Sequence, residues 1–327
     1  MLNRRRFAGL AAAAVAAPSI LLSRALSADW PVKPVRVVVP FAPGGSTDIT
    51  ARLVSNRLQE VWGQSVVVEN KPGAGGNIAA DMVAHSDPDG YTVLISGPPL
   101  ATNQFLYPQL SYDPIGDFAP VTLLITQPNL MCVPNSSPAK SVREFIDYCN
   151  ENKGKVTYAS SGNGTTLHLS GELFKRLAKV EMTHIPYRGG APAINDLIPG
   201  RVDVIFDNMP SIISHVRAGS LRGLAVTTKE RVAVVPDIPT IAESGVPGFD
   251  VFSWFGFFVP ARTPEAVVAK INADTNAALV YSSVKSRFDD LGATPKGSTP
   301  SELAAFLKSE IDKWGPVIRE AKIRVDN

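Results

Sequence analysis

Short β-branched runs alternate with amphipathic stretches along most of the chain. Val35, Val37, Val38 and Val39 make the first run, and Pro40 and Pro43 end it. Such side chains pack well on a pleated surface, and a continuous apolar run reads as a buried strand. Gly44 and Gly45 follow, then Ser46, Thr47 and Asp48, residue types found at helix N-caps. Ile49, Leu53, Val54, Leu58 and Trp62 then recur near helical spacing. The unit is strand, Gly-Gly loop and helix start. A helix start presents unpaired N–H groups and a positive dipole, which suits an anion such as a carboxylate. An ordinary capped strand-to-helix turn carries the same signature.

The pattern then repeats. Residues 66–69 predict a second strand, 71–77 (KPGAGGN) a second Gly-rich loop, and 78–85 a helix. Ile78 stands where the last glycine of a dinucleotide fingerprint belongs, so that loop is not read as a nucleotide site. Residues 91–96 predict a third strand. Alternating strands and helices imply a parallel sheet with ligands at the carboxyl ends of its strands. Two apolar runs within 118–133 predict strands leading out into a second domain. There Ser141 and Glu144 form a capping box for a helix to about residue 152. A strand over 156–160, the loop Ser161-Gly162-Asn163-Gly164-Thr165-Thr166 and a helix carrying Leu167, Leu173, Phe174 and Leu177 make a second copy of the first unit. Neither loop contains lysine or arginine, so recognition there runs through N–H groups and hydroxyls.

Further strands are expected over 182–185, 202–206 and 224–227. Pro186-Tyr187-Arg188-Gly189-Gly190 introduces another helix, and a helix is expected to start at Pro239-Thr240-Ile241-Ala242-Glu243. The aromatic run 249–260 reads as a strand recrossing to the first domain. Two or three helices follow, including 264–281 and 300–323, with the first domain's sheet to pack on. The expected fold is α/β, a two-lobed clamshell with two crossover strands and a hinge near 122–133 and 249–260. Its parts are an export signal over 1–28, domain I over 29–128 plus 250–327, and domain II over 129–249. Each lobe aims a glycine-rich helix start at the gap, a geometry suited to a small ligand.

Composition changes this picture at a few points only. Arg4, Arg5 and Arg6 precede an apolar run over 11–22 and the small residues Ala25-Leu26-Ser27-Ala28. That is an export signal, of either the twin-arginine or the general secretory type. The run is short of a membrane span and broken by Pro18. The mature chain is therefore expected to be soluble and periplasmic. The full chain's formal net charge of +2, with no basic cluster after the signal, gives no reason to expect nucleic acid. Cys132 and Cys149 are the two cysteines. A disulfide and a pair of buried free thiols are equally open readings. Their spacing makes no metal site.

Several motifs in order also match a family. PVRVVVPFAPGGSTDITAR, NKPGAGGNIAAD, DPDGYTVL, YDPIGDFAPVTLL, TYASSGNGTTLHLSGELFK, PYRGGAPAINDLIPGRVDVIFDN, PDIPTIAESGVPGFD and FLKSEIDKWGPVI span nearly the whole mature chain. They resemble the Bug family of solute-binding receptors, the extracytoplasmic component of tripartite tricarboxylate transporters. The resemblance implies a two-lobed periplasmic binding-protein fold, a small mono- or dicarboxylate ligand and membrane permease subunits as partners. It implies no cofactor and a monomer. By position it puts Phe41, Ala42, Pro43, Gly44, Gly45 and Asp48 at the ligand from the first lobe. From the second lobe come Ser160, Ser161, Gly162, Asn163, Gly164, Thr165 and His168, with Tyr187, Arg188 and Asp207 behind them. The tail AKIRVDN departs from the family's glycine-containing ending.

Individual residues keep two readings each. Asp48 either caps its own helix or meets a ligand group. Arg188 is either a solvated surface cation or a bidentate partner for a second carboxylate. His168 either packs or binds. Phe41 and Trp254 either wall the cleft or, for Trp254, fill the core or hinge. An enzyme is not expected: there is no G-x-S-x-G elbow, no H-E-x-x-H among the four histidines, and no spacing that sets a base beside Ser160 or Ser161. A sensor that presents carboxylate to a membrane kinase is the alternative to a transport receptor.

Overall fold

The computed structural model describes residues 30–320 and Ile323. The export signal and most of the divergent tail lie outside the described residues. Strands β1 (Val35–Val39), β2 (Val66–Asn70) and β3 (Thr92–Ser96) run parallel, with β1 in the middle. Helix α1 (Ser46–Trp62) joins β1 to β2, and α2 (Asn77–Ala84) joins β2 to β3. After β3 comes α3 (Pro98–Leu106), which starts on two prolines. Proline suits a first helical turn, where its missing N–H would be unpaired anyway.

The two apolar runs expected within 118–133 are one strand. β4 (Phe118–Pro134) is 17 residues long and continuous through Pro128. Its first part pairs antiparallel with β9 (Phe252–Pro260), and β9 pairs with β3. Its second part pairs with β7 (Val204–Asn208) and β8 (Leu221–Val226). The intervening chain supplies α4 (Val142–Glu151), β5 (Thr157–Ser160), α5 (Thr166–Ala178), β6 (Thr183–Pro186), α6 (Gly190–Leu197) and α7 (Met209–Arg217). β5 lies parallel between β6 and β7. The whole sheet runs β2-β1-β3-β9-β4-β7-β5-β6, with β8 and the short β10 (Thr294–Pro295) also on β4. This is a two-lobed α/β fold whose halves meet on β4. The chain returns where Val251 N–H donates to Thr227 O, just before β9.

Each half has cores on both faces of its sheet. Val37, Val54, Leu58, Ile95, Phe257 and Phe288 fill one side of the first half. Phe145, Tyr158, Phe174, Phe206 and Phe249 fill one side of the second. The remaining helices are α8 (Glu265–Val280), α9 (Ser282–Asp290) and α10 (Pro300–Glu320). α10 packs on both halves: Leu303 and Leu307 join a first-lobe core, and Trp314 and Ile318 join a second-lobe core.

Two local expectations change. No helix starts at Pro239. Thr240 and Glu243 do exchange the bonds of a capping box, Thr240 N–H to Glu243 Oε2 and Glu243 N–H to Thr240 Oγ1, both 2.9 Å. The box closes a turn, because Gly245 follows at positive φ and Pro247 blocks continuation. The cysteines are free and buried in separate cores, so the disulfide reading falls. Trp254 is fully buried core, and its indole N–H donates to Glu310 Oε2 at 3.0 Å.

Glu310 also accepts from Trp314 Nε1 at 3.2 Å, so one buried carboxylate serves a tryptophan in each core. Glu310→Ala leaves both donors unpaired and should cost about 2–4 kcal/mol in chemical denaturation. Glu310→Gln keeps an acceptor and should cost under about 1.5 kcal/mol.

Candidate functional site

The carboxyl ends of β1, β2, β5 and β6 face one another across the seam between the lobes. The first loop, residues 40–45, leads into α1. Its N-cap is Gly45, with no side-chain cap, rather than one of the hydroxyl or carboxylate residues that follow. Asp48, 3% exposed, turns back instead. Its Oδ2 accepts from Gly44 N–H at 3.0 Å, Arg52 donates to both oxygens at 2.9 and 3.0 Å, and Asn70 Nδ2 donates to Oδ1 at 2.9 Å. Burial works against the charge, but those donors hold its carboxyl below the ordinary range. Asp48 is thus a brace for the loop, and it uses the Gly44 N–H that the sequence reading had left for a ligand.

The second loop, residues 161–165, leads into α5, whose start is capped by Thr165 accepting from His168 N–H. Gly164 N–H reaches His168 Nδ1 at 3.3 Å, so this glycine N–H is also taken within the loop. Behind the loop His168, His184 and Tyr158 form a stack, with ring centroids 4.3 and 4.8 Å apart. Burial keeps both imidazoles neutral, lowering His168 to about 4 and His184 to about 3. His184 Nε2 lies 2.6 Å from Ser160 Oγ, so the fold does set a base beside a serine. The spacing hid this because β5 and β6 pair in parallel, with Tyr158 opposite His184, across an intervening helix. Ser160 is fully buried, and its hydroxyl is shared with Gly162 N–H and Gly162 O. It shapes the loop and presents no nucleophile.

Each loop touches the opposite lobe. Ala42 N–H donates to Arg188 O at 2.8 Å across the seam. Thr102 Oγ1 on α3 donates to Gly164 O at 2.9 Å. A cavity of about 370 Å³ opens between them. Its walls hold Phe41, Ser161, Gly162, Asn163, Tyr187 and Arg188 from the expected set. They also hold Tyr107 and the loop 72–76, which the sequence reading had set aside. Gly75 of that loop has φ +61°, and a Cβ there would lie 2.6 Å from Asn163 O. Tyr107, raised by burial, faces Asn163. Ala42, Pro43, Gly44, Gly45, Gly164, Thr165 and His168 lie in the loops or helix starts next to the cavity rather than in its wall. Arg188 is exposed and donates no side-chain bond among the described residues.

Asp207, at the end of β7, is buried without a cation. It accepts from Asn208 N–H at 2.8 Å and Ser211 Oγ at 2.9 Å, and desolvation still raises it to about 7. A Cβ on Gly190 would lie 3.1 Å from both of its oxygens, which puts it just beneath the start of α6. Two seam residues escaped the sequence reading altogether. Gln127 and Asn129, on β4, are 2% and 0% exposed. Gln127 Oε1 accepts from Ser46 Oγ at 2.8 Å, and Asn129 Oδ1 lies 3.4 Å from Thr166 Oγ1. Thus β4 sends one carboxamide to each facing helix start. Two amides inside an apolar strand were the available signal.

Comparison with known proteins settles the family. The sequence profile of the tripartite tricarboxylate transporter family receptor matches residues 50–323. The chain belongs to that family. Protein BugT of Bordetella pertussis is 37% identical over 314 residues, covering 95% of this chain and 94% of BugT. R. palustris Rpa4515, solved with adipate, is 42% identical with a TM-score of 0.88, over 90% of this chain and all of that one. MatC from Rhodopseudomonas palustris, solved with bound malate, is 39% identical with a TM-score of 0.83, over 88% and 100%. The receptor is accordingly a solute-binding protein of the Bug type and not an enzyme. Among the described residues no helix is long and apolar enough to cross a membrane, and no group of acidic, histidine or cysteine side chains could hold a metal.

The buried titratable groups give the receptor a pH signature. His168 and His184 have folded pKa values below the ordinary 6.5, so the unfolded chain binds protons first as pH falls below 6.5. Stability from these two is full above about pH 6.5 and is lost toward pH 4. Asp207 acts oppositely: its raised value makes the folded state bind the extra proton between about pH 4 and 7. The net uptake on unfolding grows from about a quarter of a proton at pH 6.5 to nearly one at pH 5, so urea stability should fall by about 1 kcal/mol per pH unit between pH 6 and 5. Asp207→Asn removes the opposing contribution and should roughly double that slope.

Proposed function

We propose that the receptor captures one small organic carboxylate between its lobes in the periplasm and delivers it, unchanged, to the membrane subunits of a tripartite transporter. The observation that carries this reading is the pair of helix starts, α1 and α5, brought from opposite lobes to one seam with no lysine or arginine in either loop. Free first-turn N–H groups and hydroxyls favour an anion without burying a cation. The adipate and malate held by two relatives fit that chemistry. Residues 1–28 serve as the export signal, of either the twin-arginine or the general secretory type, and the mature chain works as a monomer. The lobes are residues 29–128 with 250–327, and residues 129–249.

On this reading the ligand contacts come from Phe41 and the loop it opens on one side and from Ser161, Gly162 and Asn163 on the other, with Ser160 behind them. Tyr187 and Arg188 lie at the mouth. Asp48, His168 and Asp207 hold the loops in place. Each lobe supplies part of the hydrogen bonds a carboxylate can accept, so the ligand binds the closed form better and shifts the population toward it. Moving from mostly open to mostly closed takes about 5 kcal/mol of differential binding. Two or three charge-assisted hydrogen bonds, about 1.5–3 kcal/mol each, supply that.

Calorimetry over a panel of mono- and dicarboxylates, with product analysis, should find one-to-one binding and no turnover. Small-angle scattering should show a smaller radius of gyration with a saturating acid. Gly75→Ala is the structural control. Its Cβ would meet Asn163 O across the seam, while the left-handed φ costs only about 1–2 kcal/mol. The variant should melt within a few degrees of wild type, bind at least tenfold more weakly and compact less. Turnover of a bound acid would refute the receptor reading. Wild-type binding and compaction in Gly75→Ala would refute closure at this seam.

A further inference from the structure

Asp207 stands one residue from the end of β7 and is 1% exposed. A Cβ on Gly190 would lie 3.1 Å from both of its oxygens, and a Cβ on Gly45 would lie 3.5 Å from Gly190 N. Gly190, the first residue of α6, is therefore packed between this carboxyl and the N-cap of α1 in the opposite lobe. Tyr187 and Arg188 of the cavity wall lie just before it in the chain. The charges around Asp207 balance without it. α1 carries the Asp48–Arg52 pair and α5 the Glu172–Lys175 pair, each neutral as a unit, beside the neutral His168–His184 stack. β4 sets Leu130 opposite Asp207, with the buried Cys132 thiol close by, and α7 offers Ser211. Arg188 is exposed and makes no bond to Asp207 among the described residues.

Counting hydrogens shows which form of the acid fits. Ser211 Oγ lies 2.9 Å from Asp207 Oδ2 and 2.8 Å from Asn208 O, with one proton for two acceptors. An ionised Asp207 leaves one of those contacts without a hydrogen. A proton on Oδ2 completes both: Asp207 donates to Ser211, and Ser211 donates to Asn208 O. Asn208 N–H donates to Oδ1 at 2.8 Å in either case. Burial acts in the same direction and lifts the carboxyl to about 7.

We propose that Asp207 is a proton-binding site coupled to the carboxylate site, taking up a proton when the acid binds at the seam. The proposal rests on the carboxylate reading given above. A bound carboxylate sets a negative charge at the start of α1, the helix end that Gly190 separates from Asp207. A like charge there disfavours the ionised form and raises the carboxyl further, by about one unit. The linkage is reciprocal: the anion strengthens the hold on the proton, and the proton strengthens the hold on the anion. The occupied site then carries one negative charge fewer, and no cation has to be buried to match it.

Titration calorimetry with adipate and with malate, in two buffers of different ionisation enthalpy, tests this. Wild type should take up about half a proton per acid bound at pH 7.5, and its affinity should fall about sixfold from pH 6.5 to 8.5. Asp207→Asn puts an amide donor where the acid proton sits. It should take up no proton, bind equally at both pH values and match at pH 8.5 the affinity that wild type has at pH 6.5. Asp207→Ser is a second neutral variant, expected to show no uptake and a flat profile even if the amide fails to fold. A wild type that binds with a flat profile and no uptake would overturn the proposal and leave the receptor reading intact. Uptake and slope retained in either neutral variant would place the proton elsewhere and overturn it as well. A wild type that binds neither acid nor any other carboxylate would overturn both readings.

Discussion

The hydrogen-bond ladder of β4 is the constraint on which the rest of the receptor depends. One strand of 17 residues serves as an inner strand of both half-sheets, with β9 on its first part and β7 and β8 on its second. A strand is stiff along its length and soft in twist. Joining two lobes through it sets the helix starts of both lobes on the same seam. Pro128 sits where the partner strands change over, paired with Phe252 at the end of β9. Proline has no N–H to give to a ladder, so it is tolerated at that junction, as Pro120 is beside a shift of register in the first half. The two carboxamides on either side of it follow from the same break in the ladder: side chains there can serve a helix start on each side.

The loops that β4 brings together are rigid for reasons internal to each lobe. In the first, Asp48 ties Gly44, Arg52 and Asn70 into one set of bonds. In the second, Ser160 and the neutral histidine stack hold Gly162 and Gly164. Each brace uses a backbone donor that a ligand would otherwise meet. What it returns is order: the remaining N–H groups and hydroxyls are held in place before the ligand arrives, so less entropy is lost on binding.

Much of this fold was legible in the chain, because strands with β-branched runs and helices with apolar stripes announce themselves by period. The parallel units around Val35–Val39 and Thr157–Ser160, the Ser141 cap and the closing helices were all readable in that way. The failures have physical causes. Pro128 made one strand look like two, since a local rule against proline in a strand does not know that the partners change there. The box at Thr240 reads as a helix start, yet the same two bonds close a turn when Gly245 and Pro247 follow. At the site, the sequence order identified loops but not the use of their N–H groups. Nothing local says that Asp48 turns back to Gly44, or that His184 lies beside Ser160, because both depend on pairing across strands or turns. The 72–76 loop was discounted as a failed nucleotide motif, when its glycines serve a close approach between lobes.

That approach explains the distribution of glycine along the seam. Gly44 faces Ala191, Gly162 faces Gly75, and Gly164 faces Asn103 and Thr102. At Gly164 a Cβ would lie 2.2 Å from Asn103 Oδ1, so the contact there is main chain against side chain with nothing between. A Cβ at Gly75 or Gly164 would not fit without the seam shifting, whereas at Gly44 and Gly162 it would make only ordinary contacts. The hydrogen bonds Ala42 to Arg188 and Thr102 to Gly164 contribute about 1 kcal/mol each in net terms, too little to hold a domain pair shut against the freedom it gains on opening. They align the lobes at the seam, and the lack of a side chain at Gly164 is what lets Thr102 reach its carbonyl.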